Sequence, residues 1–133
     1  MSDKLYKGHC HCGKVRFEVL APSKLIVWDC NCSICSMRKN AHFIVPSSNF
    51  TLLSDPSEQT VYSFNTHTAK HLFCKTCGIT SYYIPRSNPN GIAVTLACID
   101  TETAPSEVEV EVVAFDGKNW EVAFNSSIIQ DIA

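Results

Sequence analysis

The chain has 133 residues, with eleven Lys and Arg against thirteen Asp and Glu, and a formal net charge of −2. Its length predicts one domain over residues 1–133, large enough to bury about two-thirds of the surface of the unfolded chain. The acidic balance argues against a broad nucleic-acid or anionic-membrane surface. No segment approaches the roughly 18 to 20 apolar residues of a membrane span, and the N-terminus carries no apolar run typical of a signal peptide.

Most of the hydrophobic periodicity is two residues, which is the period of a β-strand. Gly, Pro, Asn and Ser clusters separate the short β-branched and aromatic runs, and this spacing favours an all-β fold of compact antiparallel sheets. Short helical turns are expected after Cys32 and over Trp120–Phe124. Strands are predicted over Lys14–Val19, Leu25–Trp28, His42–Val45, Thr60–Phe64, His71–Phe73, Thr80–Ile84, Ile92–Ile99 and Glu107–Val112.

Seven of the eight cysteines fall into three tight groups, which is a pattern typical of metal chelation. Side chains two apart in an extended segment share a face, so a Cys-x-Cys pair can hold one ion. A Cys-x-x-Cys pair suits a tight turn, here followed by Gly78, which can take a positive φ. The groups are Cys10-His11-Cys12, Cys30-Asn31-Cys32-Ser33-Ile34-Cys35 and Cys74-Lys75-Thr76-Cys77.

Tetrahedral Zn²⁺ takes four ligands, and two of the groups together supply a complete set. Cys10, Cys12, Cys74 and Cys77 are therefore predicted to hold a structural zinc. Cys30, Cys32 and Cys35 remain as three ligands with an open position, which is the arrangement of a catalytic site. We expect two Zn²⁺ per chain, and seven thiolates with two Zn²⁺ lower the net charge to about −5.

Two alternatives to zinc binding are less favoured by the sequence. Eight cysteines could form a disulfide framework, but that requires an oxidising compartment, and Cys-x-Cys and Cys-x-x-Cys pairs are poor candidates for bridging within themselves. An iron–sulfur cluster is less favoured because no four cysteines have a recognised cluster spacing. Without a signal peptide the chain is expected inside the cell, in the cytoplasm or the nucleus.

Several other residues have two readings from sequence. Cys98 lies in an apolar run and is expected to be a small core residue rather than a fourth ligand. Arg86 lies in a loop and is either a solvated arginine or a bidentate partner for a substrate carboxylate. His9 and His11 alternate with Cys10 and should point away from the metal. Surface or strand-edge positions are expected for the remaining histidines, with an acid–base role as the alternative: His42, His67 and His71.

The three cysteine motifs resemble, in order and spacing, those of the glutathione-dependent formaldehyde-activating enzyme family, which includes centromere protein V. The first is Gly8-His9-Cys10-His11-Cys12-Gly13, matching G-x-C-x-C-G before a strand. The second is Cys30-Asn31-Cys32-Ser33-Ile34-Cys35, matching C-x-C-S-x-C. The third is Phe73-Cys74-Lys75-Thr76-Cys77-Gly78, matching F-C-x-x-C-G. The run Tyr83-Ile84-Pro85-Arg86-Ser87-Asn88-Pro89 resembles the centromere protein V branch.

This resemblance implies a tent-like, all-β fold related to zinc ribbons. It implies a structural zinc at the positions of Cys10, Cys12, Cys74 and Cys77, and a catalytic zinc at those of Cys30, Cys32 and Cys35. The activity implied is that of a carbon–sulfur lyase, which interconverts S-(hydroxymethyl)glutathione with glutathione and formaldehyde. The long basic, Pro-rich arm of the centromeric member is missing from this sequence, so a chromatin role that needs such an arm is not expected.

The chemistry of three thiolates agrees with a thiol substrate. Thiolates donate strongly, so the zinc they hold is a weaker Lewis acid than one bound by three neutral histidines, and activating water is less favoured. A soft, sulfur-rich site is suited to accept another sulfur, such as that of glutathione. The small-molecule partner is therefore predicted to be a thiol or a glutathione adduct. The alternative is a non-catalytic zinc module that binds a protein or a nucleic acid, with both ions structural.

Overall fold

A computed structural model describes residues 3–126 and 128–131. The described residues form short strands, two α-helices and several 3-10 turns, in agreement with an all-β fold. The strands are β1 (Lys4–His9), β2 (Arg16–Ala21), β3 (Lys24–Cys30), β4 (Ala41–Pro46), β5 (Phe50–Leu52), β6 (Gln59–Tyr62), β7 (Lys70–Cys74), β8 (Tyr82–Ile84), β9 (Gly91–Thr95) and β10 (Glu109–Phe115). The helices are α1 (Ser33–Arg38) and α2 (Trp120–Ser126).

The strands form two sheets of different size. A three-stranded sheet has the order β1-β2-β5, and a seven-stranded sheet has the order β10-β3-β4-β9-β8-β7-β6. All neighbouring pairs are antiparallel except β10 and β3, which run parallel. The predicted antiparallel architecture is thus confirmed with one parallel pair at the edge of the larger sheet.

The larger sheet is apolar on both faces because its central strands carry consecutive buried residues. Neighbouring residues of a strand point to opposite faces, so Val27 and Trp28 in β3 contribute to two different cores. The first core lies between the two sheets and includes Tyr6 and Phe17 from the smaller one. The second core lies on the opposite face, where Trp28, α1 and the α2 segment pack together.

Most predicted elements are confirmed, with shifted ends. The alternation of Glu107–Val112 marks a strand that the structure places at Glu109–Phe115, and the run Ile92–Ile99 splits into β9 and a 3-10 turn over Leu96–Cys98. Both predicted helical turns are present as α1 and α2. The strands β1 and β5 were not predicted. Among the described residues, none of the helices has the length and apolar character needed to cross a membrane.

The two cysteine-rich regions lie on opposite faces of the larger sheet. Cys10 and Cys74 belong to the core between the sheets, whereas Cys35 belongs to the core on the other face. Each region therefore has its own surroundings, and the sheet separates them.

Candidate functional site

The first cluster, here called the four-cysteine cluster, consists of Cys10, Cys12, Cys74 and Cys77. All four sulfur atoms lie within 4.8 Å of one another. The Cys10–Cys12 and Cys12–Cys74 sulfur pairs are each 3.6 Å apart, far beyond the length of a disulfide bond. Tetrahedral Zn²⁺ with Zn–S bonds of about 2.3 Å would space its sulfurs about 3.8 Å apart. The four thiols thus have the spacing of a closed tetrahedral metal site.

Two tight turns bring these thiols together. Gly13 follows the first pair with a φ of +82°, and Gly78 follows the second with a φ of +77°, as the sequence predicted for Gly78. Both glycine N–H groups donate to the carbonyl of the first cysteine in their turn, at 3.1 Å for Cys10 and 2.9 Å for Cys74. The two turns differ by one residue in length, and each ends at a glycine with a positive φ.

Backbone N–H groups in these turns donate to the cysteine sulfurs. The N–H of Val15 donates to the Cys10 sulfur at 3.3 Å, and that of Thr76 donates to the Cys74 sulfur at 3.4 Å. Although desolvation opposes it, backbone hydrogen bonds from Cys12 and Ile79 lower the pKa of Cys77 to about 6. Metal binding requires thiolates, so these donors prepare the cluster for a cation.

The second cluster, here called the three-cysteine cluster, consists of Cys30, Cys32 and Cys35, whose sulfur atoms also lie within 4.8 Å of one another. Cys30 ends β3, and the first turn of α1 places Cys35 beside Cys32. Side-chain hydrogen bonds, from Cys30 first and then from Cys35, lower the pKa of Cys32 to about 2. The pKa of Cys35 is raised by its hydrogen bonds to Cys30 and Cys32. One thiolate is thus stable here, and ionising all three requires a cation.

A glycine allows the loop after β10 to approach this cluster. A Cβ added at Gly117 would lie 2.6 Å from the sulfur of Cys30 and 2.7 Å from the Cβ of Cys32. Neighbouring hydrogen bonds hold the loop in place: Asn31 Nδ2 donates to Asp116 Oδ1 at 2.9 Å, and the Lys118 N–H donates to Asn31 Oδ1 at 3.1 Å. The loop therefore covers one side of the three thiols.

The three-cysteine cluster lies in the wall of a cavity of about 370 Å³, here called the thiol cavity, which is within the usual range for small-molecule sites. Its walls combine aromatic side chains with polar and charged groups. The aromatic wall residues are Trp28, Phe64, Tyr83, Phe115 and Trp120. The four-cysteine cluster is not part of this cavity, so among the described cysteines only the second cluster has access to this space.

Two histidines of this region are buried. His42 is 2% exposed and His71 is 4% exposed, so the expectation that these residues lie at the surface or a strand edge was wrong for both. Burial lowers the pKa of His42 to about 4, which keeps it neutral. His71 stacks on Tyr83 with ring centroids 4.9 Å apart, and the Tyr83 hydroxyl is 3.1 Å from His42 Nε2. The third histidine, His67, is exposed, as expected.

Arg86 lies at the thiol cavity and is held in place there. Its guanidinium lies over the Trp120 ring, 3.7 Å from the centroid, and forms a 2.9 Å ion pair with Glu121. It is therefore not a freely solvated loop arginine. Lys118 also lines the cavity, and its side chain is exposed.

The remaining candidates lie away from the thiol cavity. Cys98 is 9% exposed, its sulfur is 3.9 Å from the Thr80 carbonyl oxygen, and it packs in the core between the sheets. It belongs to neither cluster, as expected for a core cysteine. His9 and His11 are also outside both clusters, and His9 Nδ1 contacts the Cys10 carbonyl oxygen at 2.7 Å. All eight cysteines are free, which contradicts a disulfide framework.

The sequence matches a known protein family over most of its length. The family model described as glutathione-dependent formaldehyde-activating enzyme matches residues 5–115. The chain belongs to this family. The matched region contains both cysteine clusters and most of the thiol cavity wall, so the glutathione-dependent formaldehyde-activating enzyme family includes the parts of the fold that form the candidate site.

A solved structure supports the same fold. The crystal structure of a Rhodobacter sphaeroides protein superposes on this chain with a TM-score of 0.64, and the two sequences are 35% identical over the aligned residues. The alignment covers 79% of this chain and 99% of that protein. The two proteins therefore share an overall architecture over most of their lengths.

Proposed function

We propose that the protein is a carbon–sulfur lyase whose substrate is a glutathione adduct such as S-(hydroxymethyl)glutathione, with Zn²⁺ held by Cys30, Cys32 and Cys35. The observation that carries this proposal is the difference between the two clusters. Four thiols in the first can enclose an ion, whereas three thiols in the second line a cavity. Zinc with three protein ligands and an accessible position is typical of catalytic sites. Cys10, Cys12, Cys74 and Cys77 would hold the second, structural Zn²⁺.

The donor set favours sulfur chemistry. Zn²⁺ bound to three thiolates would supply a soft, electrophilic position that accepts a substrate sulfur and stabilises it as a thiolate. In the lyase direction the carbon–sulfur bond breaks, its electron pair goes to sulfur, the hydroxyl loses its proton and a carbonyl forms. The chain must therefore hold the thiol end of the adduct at the three-cysteine cluster and accept a proton nearby.

The cavity can also hold the rest of a glutathione molecule. Glutathione has two carboxylates, and the cavity has two cationic side chains, Arg86 and Lys118. A planar guanidinium held over Trp120 can bind a carboxylate with little loss of side-chain entropy.

The experiment compares wild type with Cys32→Ser after the zinc content of each has been counted. Exchange between S-(hydroxymethyl)glutathione and its components is followed by NMR, with buffer as the reference because this adduct also forms without a catalyst. Wild type is expected to hold two Zn²⁺ and to accelerate exchange, and Cys32→Ser to hold one and give the buffer rate. A wild-type rate equal to that of buffer would refute the lyase.

Cobalt substitution tests substrate binding separately from turnover. Glutathione is expected to strengthen the sulfur-to-cobalt charge-transfer band of the wild-type protein and to leave that of Cys35→Ser unchanged. A wild-type spectrum that does not respond to thiols would indicate a closed site, which is the expectation for a non-catalytic zinc module. Saturable retention of duplex DNA at about 0.15 M salt would favour that module, although a net charge of about −5 offers few phosphate contacts.

Thiols that bind a metal stay reduced in the reducing surroundings inside a cell. We therefore propose that the protein lies inside the cell, in the cytoplasm or, as the alternative, in the nucleus.

A further inference from the structure

A continuous chain of hydrogen bonds leads away from the three-cysteine cluster into the protein. The Tyr83 hydroxyl is 3.8 Å from the Cys35 sulfur, 3.1 Å from His42 Nε2 and 3.4 Å from His42 Nδ1. His42 Nδ1 is also 3.1 Å from Asn40 Oδ1. Asn40 Nδ2 donates to Thr95 Oγ1 at 2.8 Å, and that hydroxyl donates to the Thr80 carbonyl at 2.7 Å.

The direction of this chain is fixed by its inner end. The Thr80 carbonyl can only accept, so it takes the single hydrogen of the Thr95 hydroxyl. The oxygen of Thr95 is then an acceptor, and the Asn40 group that faces it must be the NH₂. Turning the Asn40 amide over would place its oxygen against Thr95, whose hydrogen is already used. The amide oxygen of Asn40 therefore faces His42.

The same reasoning fixes the hydrogens of His42 and Tyr83. Because Asn40 presents an oxygen, Nδ1 of His42 carries the hydrogen and donates it. A neutral imidazole has one hydrogen, so its Nε2 is an acceptor. The Tyr83 hydroxyl is nearer to Nε2 (3.1 Å) than to Nδ1 (3.4 Å) or to the Cys35 sulfur (3.8 Å), so it donates to Nε2. Burial, which lowers the pKa of His42 to about 4, keeps the ring in this neutral form.

The oxygen of Tyr83 is consequently left as an acceptor at the thiol cavity. A thiolate at Cys35 has no hydrogen to donate, so it cannot satisfy this oxygen when it binds a metal. Tyr83 is 7% exposed and lines the cavity. This acceptor beside the three thiols can take a donor from a ligand, and an adduct that carries a hydroxyl on the carbon next to sulfur has one.

We propose that the Tyr83 oxygen accepts the hydroxyl hydrogen of a bound 1-hydroxyalkyl thioether, and that the proton passes through Tyr83 to Nε2 of His42. The substrate hydroxyl gives its proton to the Tyr83 oxygen, and Tyr83 gives its own proton to Nε2 of His42. At the same time the carbon–oxygen double bond forms, the carbon–sulfur bond breaks, and the electron pair of that bond stays on sulfur. In the reverse reaction the imidazolium returns the proton to the oxygen. Tyr83 is the catalytic residue, and His42 acts through it. The inference rests on the proposed lyase and identifies its acid–base group.

The direction of the hydrogen bonds from Tyr83 through His42 to Asn40 can be measured without any turnover. Long-range ¹H–¹⁵N spectra of the zinc-loaded protein report which ring nitrogen of His42 carries hydrogen. We expect hydrogen on Nδ1 and a bare Nε2. Hydrogen on Nε2 would overturn the relay whatever the activity, because Tyr83 would then receive a hydrogen from His42 rather than give one.

The rate test uses S-(hydroxymethyl)glutathione and two variants. Tyr83→Phe is expected to lose about 10² to 10⁴ of the catalysed exchange rate while keeping two zinc ions and its affinity for glutathione, which lacks the hydroxyl. His42→Gln can still accept from Tyr83 through its amide oxygen but cannot take a proton, so its affinity for the adduct should persist and its rate should fall. Tyr82→Phe is the control, since the Tyr82 hydroxyl donates to Gln59 at 2.8 Å, away from the cavity.

The outcomes separate the relay from the lyase. Wild type without exchange above buffer refutes the lyase and the relay with it. An active wild type with an equally active Tyr83→Phe refutes the relay alone. Activity in His42→Gln equal to wild type would show that His42 only positions Tyr83, which overturns the proton transfer to the ring.

Discussion

The backbone at Gly117 lies so close to Cys30 that a methyl group there would be 2.6 Å from the Cys30 sulfur. Real Cβ atoms are not found at that distance, so either the loop or the thiol must move. The same methyl group would be 2.7 Å from the Cβ of Cys32. The close approach of this loop to Cys30 and Cys32 therefore depends on glycine.

Gly117→Ala is expected to weaken metal binding at the three-cysteine cluster and to leave the four-cysteine cluster intact. Forcing a methyl group into a filled space costs about 1 to 3 kcal/mol, which is about 5- to 150-fold in affinity for the ion. Chelator titration with elemental analysis should show one zinc lost at lower chelator concentration than in wild type. Lys118→Ala changes the neighbouring residue without filling this space and should behave like wild type; equal zinc retention in both variants would contradict the argument.

The two clusters should differ in what their loss does to the fold. A structural zinc contributes about 10 to 16 kcal/mol in small zinc-binding peptides, as much as the whole stability of about 5 to 15 kcal/mol of a typical domain. Cys77→Ser should therefore give unfolded or insoluble protein, whereas Cys32→Ser should remain folded with one zinc fewer. Circular dichroism with elemental analysis measures both properties.

Cys98→Ser is the matched control for these two variants, because Cys98 is buried in the same core as Cys10 but belongs to neither cluster. It should keep two zinc ions and lose only the packing of one sulfur. Equal folding of Cys77→Ser and Cys32→Ser would contradict the separate roles of the clusters.

The strands could be predicted from sequence where apolar residues alternate or run together, but their partners could not. The run Leu25–Trp28 predicts a strand, and the structure shows that its neighbouring residues Val27 and Trp28 are both buried, on opposite faces of the sheet. Nothing in the alternation of Glu107–Val112 shows that β10 runs parallel to β3, since the relative direction of two strands depends on the path of the chain that connects them. The strand β1 was missed because its only buried residues are Tyr6 and Gly8.

The cysteines could be grouped from spacing because short chelating turns act locally. The acid–base residues could not be found this way, because the chain from Tyr83 through His42 to Thr95 joins three different strands. Their only sequence signal is a histidine inside an apolar strand, where a polar residue must find a buried partner. The close approach at Gly117 has no sequence signal beyond an Asp-Gly turn.

Stability should depend on pH through His42. Its pKa is about 4 in the folded protein and 6.5 when exposed, mainly because burial disfavours the charged ring. Below pH 6.5 the unfolded chain therefore binds more protons than the folded one, and stability falls with pH until about pH 4. At pH 5 the loss from this residue should be about 2 kcal/mol.

Urea unfolding of wild type and His42→Gln across pH 5 to 8 measures this contribution. Both proteins carry the same cysteine clusters, so the difference between their pH slopes isolates the histidine. The slopes should coincide above pH 7, and wild type should lose more stability below pH 6.5. Parallel curves over the whole range would mean that His42 does not remain neutral in the folded protein.

Substrate recognition should depend on Arg86, which Trp120 and Glu121 hold at the cavity. A charge-assisted hydrogen bond to a carboxylate contributes about 1.5 to 3 kcal/mol when buried and less at a partly exposed site. Arg86→Gln should therefore weaken glutathione binding about tenfold, and it should leave binding of 2-mercaptoethanol unchanged because that thiol has no carboxylate. Glu121→Gln removes the competing carboxylate and keeps the guanidinium over Trp120, so it should bind glutathione at least as tightly as wild type. Titration of the cobalt-substituted proteins with both thiols measures these affinities. If Arg86→Gln weakened both thiols equally, Arg86 would support the cavity wall rather than the carboxylate of the substrate.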